Sequence, residues 1–297
     1  MNDYPIVLAH GIARFEFLLA HLVRSIESLG ISLDGAADGL NYFKGIARHL
    51  RNDGFDVAHT NVSFAADVET RAADLKNEIN TILQSRGKSK VHIIGHSMGG
   101  LDSRHMIVGH GMADKVRSLT TLGTPHFGTS FADWGMAHHG HEIIEHLNGI
   151  IDIAGVEDLT TTACREFNQK AESAEAMNNV YYQTFASKEK RELIFTPLKA
   201  SWDIIQEAEG DNDGLASHST QRWVGELVGA NGQTKTVHQH DFPISADHLN
   251  EIGWWDLNQL RTVNLFKTSI PSAIREYEGK IKDVYLDIAR NLRQLPE

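Results

Sequence analysis

Residues 91–100 read Val-His-Ile-Ile-Gly-His-Ser-Met-Gly-Gly, and this stretch decides the fold. Its apolar beginning is typical of a buried strand, and a helix-like sequence follows Ser97. Between the two lies Gly-x-Ser-x-Gly, which at a strand-to-helix turn presents a serine hydroxyl at the end of a sheet. Gly95 and Gly99 would leave room for the strand and helix to approach closely. We therefore expect Ser97 to be a covalent nucleophile.

Strands and helices alternate on both sides of this turn. Strand patterns occur at residues 6–9, 55–62, 91–95, 116–122 and 180–186. Helical spacing occurs at residues 15–29, 42–50, 69–83 and 272–293. This alternation predicts an α/β protein with a mostly parallel central sheet and helices on both faces. The carboxyl ends of the strands then meet at one edge, where we expect His10, Ser97 and Thr124.

Composition narrows the functional classes. The chain has 297 residues, is 41% hydrophobic and contains no linker-like tract, so we expect one domain over residues 1–297. Its net charge of −11 argues against nucleic-acid partners. Cys164 has no partner cysteine for an intramolecular disulfide. Without a signal-like start or a run of roughly 18 apolar residues, we expect a cytoplasmic protein, or one secreted without a cleaved signal.

Residues 127–175 differ from the rest because they are apolar and helix-like but contain no strand pattern. They lie between two predicted sheet segments, residues 116–122 and 180–186. We interpret the segment as a helical lid over the active site. The alternative is a pair of ordinary crossover helices.

A serine nucleophile needs a histidine that takes its proton and a carboxylate that orients the histidine. In proteins with a serine at a strand-to-helix turn of this type, the three residues follow the chain order serine, acid, histidine. Two stretches downstream of Ser97 fit, residues 211–214 with Asp-Asn-Asp-Gly and residues 246–249 with Ala-Asp-His-Leu. Asp211 and Asp213 compete for the role of the acid. His218 and His240 compete with His248.

Several motifs resemble the bacterial triacylglycerol lipases of the α/β-hydrolase fold, especially the signal-less Proteus-type members. The matching stretches are residues 4–11, 42–46, 95–100, 212–215 and 247–249. They extend from the first strand to near residue 250 and so cover most of the chain. The resemblance implies an α/β-hydrolase fold and hydrolysis of acylglycerols at a lipid–water interface. The alternatives are a short-chain esterase, a thioesterase, an acyltransferase or a non-catalytic binding module.

Carried over by position, the resemblance implies a role for each site residue. Ser97 would be the nucleophile, Asp213 the orienting carboxylate, and His248 the general base and then acid. The backbone N–H groups of Ile12 and Met98 would stabilise the oxyanion. An intact set of this kind argues against a non-catalytic module, which has no need of all three side chains.

Two features depart from the resemblance. Many of these lipases bind calcium through an aspartate two residues after the catalytic histidine, but this chain has Asn250 there, and residues 193–197 supply no acid. We therefore expect no metal and no cofactor, and the clustered histidines at 138–146 read as surface residues. The segment of residues 13–40, which separates the stretch ending at Ile12 from that at residues 42–46, is also longer than the resemblance suggests. Candidates for the substrate pocket are Phe15, Phe17, Leu18 and Phe127, with core packing as the alternative.

Overall fold

The computed structural model describes residues 3–12, 18–20, 41–63, 66–138, 155–256, 258 and 270–296. These residues contain a seven-stranded sheet with the order β2-β1-β3-β4-β5-β7-β6. Its strands are β1 (Ile6–Ala9), β2 (Val57–His59), β3 (Val91–His96), β4 (Val116–Leu122), β5 (Tyr181–Ala186), β6 (Glu226–Val228) and β7 (Thr234–Asp241). Neighbouring strands are parallel except β6, which is antiparallel to β7. The predicted, mostly parallel α/β sheet is confirmed.

Helices connect the strands. They are α1 (Ile46–Asn52), α2 (Val68–Arg86), α3 (Met98–Gly109), α4 (Ser130–Ala137), α5 (Thr161–Met177), α6 (Lys199–Ala208), α7 (His218–Gln221) and α8 (Ile270–Arg293). Short 3-10 turns lie at Ala113–Lys115, Glu157–Leu159, Thr196–Leu198 and Asn250–Ile252. Of the helices described, none has the length and apolar character needed to cross a bilayer.

The core forms on both faces of the sheet because successive strand residues point in opposite directions. In β1, Ile6 and Leu8 belong to one buried cluster, whereas Val7 and Ala9 belong to the other. Helices α1 and α8 contribute to the first cluster, and α2 contributes to the second. β3 is covered on both faces, and all six of its residues are buried.

Two predicted elements lie partly outside the described residues. Of the helix predicted at residues 15–29, the structure describes 18–20, which are helical. Of the lid predicted at residues 127–175, it leaves out 139–154. The described ends of this segment are joined, because Asp133 of α4 accepts hydrogen bonds from the N–H and hydroxyl of Thr161 at 3.0 and 2.7 Å. The lid itself stays a prediction.

The turn between β3 and α3 depends on glycine where the chain segments come closest. A Cβ atom at Gly99 would lie 2.3 Å from the carbonyl oxygen of Ala9. One at Gly95 would lie 2.9 Å from the Cα of Gly100. Neither obstacle is a flexible side chain, so any larger residue must push the end of β1 or the first turn of α3 away.

Gly99→Ala is therefore expected to lower the free energy of unfolding by about 1–3 kcal/mol through overpacking. Gly109→Ala, at the other end of α3, is the matched control because a Cβ atom there meets nothing within 4 Å. The control should be neutral or slightly stabilising, since alanine favours helix more than glycine does. Urea unfolding of both variants checks this, and equal stabilities would contradict the close approach.

Candidate active site

Ser97 occupies a strained turn at the end of β3. Its φ of 56° and ψ of −131° make it the only non-glycine residue with positive φ in the described part of the chain. The turn is held on both sides. The Ser97 N–H donates to the Leu122 carbonyl at 2.9 Å, and the Thr124 hydroxyl donates to the Ser97 carbonyl at 2.9 Å. Strain of this kind persists only where the surrounding structure determines the backbone.

Asp213 and His248 meet although they lie on different loops. Asp213 lies between α6 and α7, and His248 lies after β7. His248 Nδ1 is 2.7 Å from Asp213 Oδ2, and its backbone N–H donates to the Asp213 carbonyl at 2.9 Å. The other carboxylate oxygen of Asp213 accepts from the N–H groups of Leu215 and Ala216 at 2.8 and 2.7 Å. This arrangement fixes the imidazole, with Nδ1–H donating and Nε2 left for proton transfer.

The competing acid and histidines lie elsewhere. Asp211 is exposed and pairs with Lys188. His218 bonds to Asp241 at 2.9 Å, and the His240 ring stacks on Phe185 of the neighbouring strand. Of the alternatives that the sequence leaves open, the structure brings only Asp213 and His248 together.

Ser97 and His248 line one cavity, which has mainly apolar walls. The remaining lining residues are Ile12, Tyr42, Pro125, Thr129, Phe131, Ala132, Val156, Leu159, Leu215 and Ala216. Among the predicted pocket residues, Phe15 and Phe17 lie outside the described residues. Leu18 is instead buried in the larger core cluster, and Phe127 is 38% exposed at a surface turn. Neither lines this cavity.

Two backbone segments border the cavity where an oxyanion would form. Met98 is the first residue of α3, and the first N–H groups of a helix have no partner within the helix. Ile12 follows β1 and lines the cavity itself. His10 steadies that loop, because its Nδ1 donates to the Gly11 carbonyl at 2.8 Å. Burial lowers the pKa of His10 to about 4, so this histidine is neutral at physiological pH.

A buried ion pair also contacts the loop that follows β1. Arg71 of α2 bonds to Asp102 of α3, with 2.7 Å between Nη2 and Oδ2. The same guanidinium donates to the His10 carbonyl at 3.0 Å and the Ser63 carbonyl at 2.7 Å. Burial raises the pKa of Asp102 to about 6, and Arg71 limits this rise. The pair thus connects the helix after the nucleophile to the segment before Ile12.

A second layer of polar side chains lies behind the triad. The Tyr42 hydroxyl is 2.9 Å from His96 Nδ1, and His96 Nε2 is 3.1 Å from Glu251 Oε2. Ser187 donates to the other carboxyl oxygen of Glu251. Burial and then the nearby Asp213 raise the pKa of Glu251 well above its usual range. Burial also lowers the pKa of His96 well below its usual range, so this layer is uncharged.

Among the described residues, His96, His248 and Glu251 form the one group whose ligand atoms lie close enough to hold a metal ion. Within this group, His248 Nδ1 is bonded to Asp213 and Glu251 Oε1 to Ser187, while His96 Nε2 faces Glu251 Oε2 at 3.1 Å. His138 of the predicted surface cluster is exposed, and the other members lie outside the described residues.

Sequence reasoning did not identify Arg71, Asp102 or Glu251. None belongs to a motif, and an arginine within an amphipathic helix normally indicates a solvent-facing position. The one sequence signal for Asp102 and Glu251 was their position in the chain. Asp102 and Glu251 follow Ser97 and His248 closely in the chain, which places them near the site but does not say which way they point.

Arg71→Met leaves the Asp102 carboxylate buried without its partner, so it should cost about 3–5 kcal/mol of stability. The double variant Arg71→Met/Asp102→Leu should regain most of that loss because no unpaired charge remains. Catalytic activity should stay low in the double variant, because the His10 carbonyl still lacks the hydrogen bond from Arg71. Urea unfolding and kcat/KM separate the two effects. Full recovery of activity together with stability would contradict the role given to Arg71.

Known proteins resemble this chain in sequence and in fold. Residues 4–138 match a family model described as the alpha/beta hydrolase fold. Triacylglycerol lipase 2 of Saccharomyces cerevisiae is 26% identical over 89% of this chain and 85% of its own length. A triacylglycerol lipase of Vibrio cholerae is also 26% identical, over 95% of this chain and 89% of its own length.

A solved structure extends the likeness to the whole fold. Lipase 1 from Pelosinus fermentans superposes with a TM-score of 0.64 at 17% identity, and the match covers 100% of both chains. At this identity the superposition establishes the fold alone. Together with the parallel sheet and the family match, it shows that the chain has the α/β-hydrolase fold and is similar in sequence to the triacylglycerol lipases.

Proposed function

We propose that this protein is a serine ester hydrolase that cleaves acylglycerols through an acyl-enzyme. One observation carries the proposal: a strained, cavity-lining Ser97 shares its cavity with a histidine that is bonded to a buried carboxylate. The lipase names of its full-length relatives support the substrate class.

In the proposed reaction, Ser97 Oγ attacks the ester carbonyl carbon while His248 Nε2 takes the hydroxyl proton. The carbonyl oxygen becomes an oxyanion, which the N–H groups of Ile12 and Met98 stabilise. His248 then protonates the departing alkoxide, and an acyl-serine ester remains. A water molecule gives a proton to His248 and attacks that ester, and His248 passes the proton to Ser97 Oγ as the fatty acid leaves. Asp213 orients the imidazole and stabilises the imidazolium.

The walls of the cavity favour a long acyl chain. Beside the catalytic residues they consist mostly of Phe131 and Ala132 from α4, Val156 and Leu159 from the end of the predicted lid, and Leu215. Apolar walls gain free energy for each methylene that they remove from water. A short-chain esterase would gain little from such a surface.

A fluorophosphonate probe tests the chemistry. Wild-type protein should form a covalent adduct at Ser97, and Ser97→Ala should form none. His248→Ala and Asp213→Asn should be labelled at least about a thousandfold more slowly, because the serine loses its base or the base its orientation. Adduct mass and labelling rate are read by mass spectrometry.

Ser85→Ala is the matched control, since Ser85 is an exposed serine on α2. It should be labelled like wild type. Equal labelling of wild-type protein and His248→Ala would refute the triad, and an adduct elsewhere in the folded protein would refute the nucleophile.

p-Nitrophenyl esters from C2 to C16 test the substrate class. The ratio of kcat/KM for C8 over C2 should exceed one in wild type. Ala132→Phe should lower this ratio by about tenfold because it narrows the apolar wall. Ser97→Ala supplies the background rate. A wild-type rate that collapses beyond C4 would indicate a short-chain esterase instead.

A further inference from the structure

The loop that carries His248 is stabilised by hydrogen bonds across its own ends. Its described part runs from the end of β7 to Asp256, and residues 246–256 are buried. In the lipases that the sequence resembles, a calcium ion braces this loop through an acid two residues after the histidine. This chain has Asn250 at that position, fully buried.

Asn250 uses both ends of its amide within the loop. Its Oδ1 accepts from the N–H of Asp247 at 3.1 Å, immediately before His248. Its Nδ2 donates to the carbonyl of Trp254 at 2.9 Å, on the far side of the 3-10 turn. The Trp254 N–H returns to the Leu249 carbonyl at 3.0 Å. The amide therefore ties the residue before His248 to the exit of the loop.

The orientation of this amide follows from its partners. Rotating it by half a turn would place an NH₂ group against the Asp247 N–H and an oxygen against the Trp254 carbonyl. Both contacts would then oppose like groups, so only the orientation described satisfies the two partners. An N–H donor of Asn250 thus points at the Trp254 carbonyl oxygen.

The nearby carboxylates are also engaged by donors. Asp247 accepts from the N–H groups of Leu249 and Asn250 through Oδ1 and from that of Phe195 through Oδ2. Calcium requires six to eight oxygen ligands, which hydrogen-bond donors at these oxygens would oppose.

The next acid along the loop is used in the same way. Asp256 accepts from the N–H and hydroxyl of Thr196 and from the N–H of Asn258. Asn258 adds a second amide bridge, from its Nδ2 to the Ile194 carbonyl at 3.0 Å. Because N–H and hydroxyl groups already occupy these carboxylate oxygens, the residues of this loop do not fit a calcium ion.

We propose that Asn250 is a positioning residue that replaces a bound cation: its amide crosslinks the loop and holds His248 against Asp213 without a metal. The consequence is an enzyme whose stability and activity are independent of calcium. The activity readout rests on the proposed ester hydrolysis, whereas the stability readout does not.

Asn250→Asp is the sharpest variant because it keeps the shape and replaces the NH₂ donor with an oxygen. At pH 8 the introduced carboxylate faces the Trp254 carbonyl. We expect the melting temperature to fall by about 5 °C. We expect kcat to fall by about ten- to a hundredfold, with KM unchanged within about twofold, because the substrate cavity stays intact while His248 shifts.

A pH series separates loss of the donor from a general structural defect. The introduced carboxyl is buried, so its folded pKa lies above its unfolded value, and its penalty grows as pH rises through the folded pKa. When protonated it can again donate to the Trp254 carbonyl. The difference in melting temperature between variant and wild type should therefore shrink from pH 8 to pH 5. Asn77→Asp, an exposed residue of α2, is the charge-matched control and should show no such dependence.

Wild-type protein is measured in EDTA and in millimolar calcium, which needs no variant to fold. Melting temperature and kcat/KM should be the same in both. A melting temperature that drops in EDTA and recovers with calcium would overturn the proposal, as would an Asn250→Asp variant with wild-type stability and kcat at pH 8. If no ester is cleaved at all, the proposed function fails, and the melting data still decide the role of Asn250.

Discussion

The backbone of Ser97 is the constraint on which the rest of the site depends. Its positive φ is possible because β1 and β4 flank β3 and because Leu122 and Thr124 bond to both sides of the serine peptide. The same close packing brings the end of β1 against the start of α3, which a Cβ atom at Gly99 would prevent. Nucleophile and both proposed oxyanion donors are thus placed by the central strands, whereas the acid and histidine arrive on loops.

Charge is distributed around this turn so that one carboxylate acts on the imidazole. The chain carries a net charge of −11, yet its buried charges near the serine are paired or neutral. Arg71 neutralises Asp102, and Glu251 holds its proton because burial and Asp213 oppose a second negative charge. Asp213 accepts hydrogen bonds from His248 and from the backbone N–H groups of Leu215 and Ala216. Arg71 and the proton on Glu251 thus limit the negative charge around Ser97 in this acidic protein.

The central strands of the sheet could be predicted from the sequence, whereas the strands at its edge and the exact ends of strands could not. β3 and β4 are covered on both faces and almost entirely buried, so their strand patterns were clear. β7 escaped prediction because Thr, Lys, His and Gln occupy most of residues 234–241 and only Val237 is buried. The strand predicted at 55–62 is shorter, at Val57–His59, because its flanking residues leave the sheet.

The site shows the same division. The turn around Ser97 is formed by consecutive residues, so the sequence motif alone predicted it. The choice between Asp213 and Asp211 is not local, because it depends on which carboxylate the loop turns toward His248. The buried Arg71 and the amide of Asn250 depend on contacts between distant segments, and no spacing rule in the sequence encodes those contacts.

A crystal structure of the protein inhibited by a long-chain alkyl phosphonate tests the central claim most directly. Phosphorus should be bonded to Ser97 Oγ, with its free oxygen within about 3.1 Å of the N–H groups of Ile12 and Met98. The alkyl chain should lie against Phe131 and Leu159. A phosphonyl oxygen that points to solvent, or an alkyl chain outside this cavity, would contradict the account.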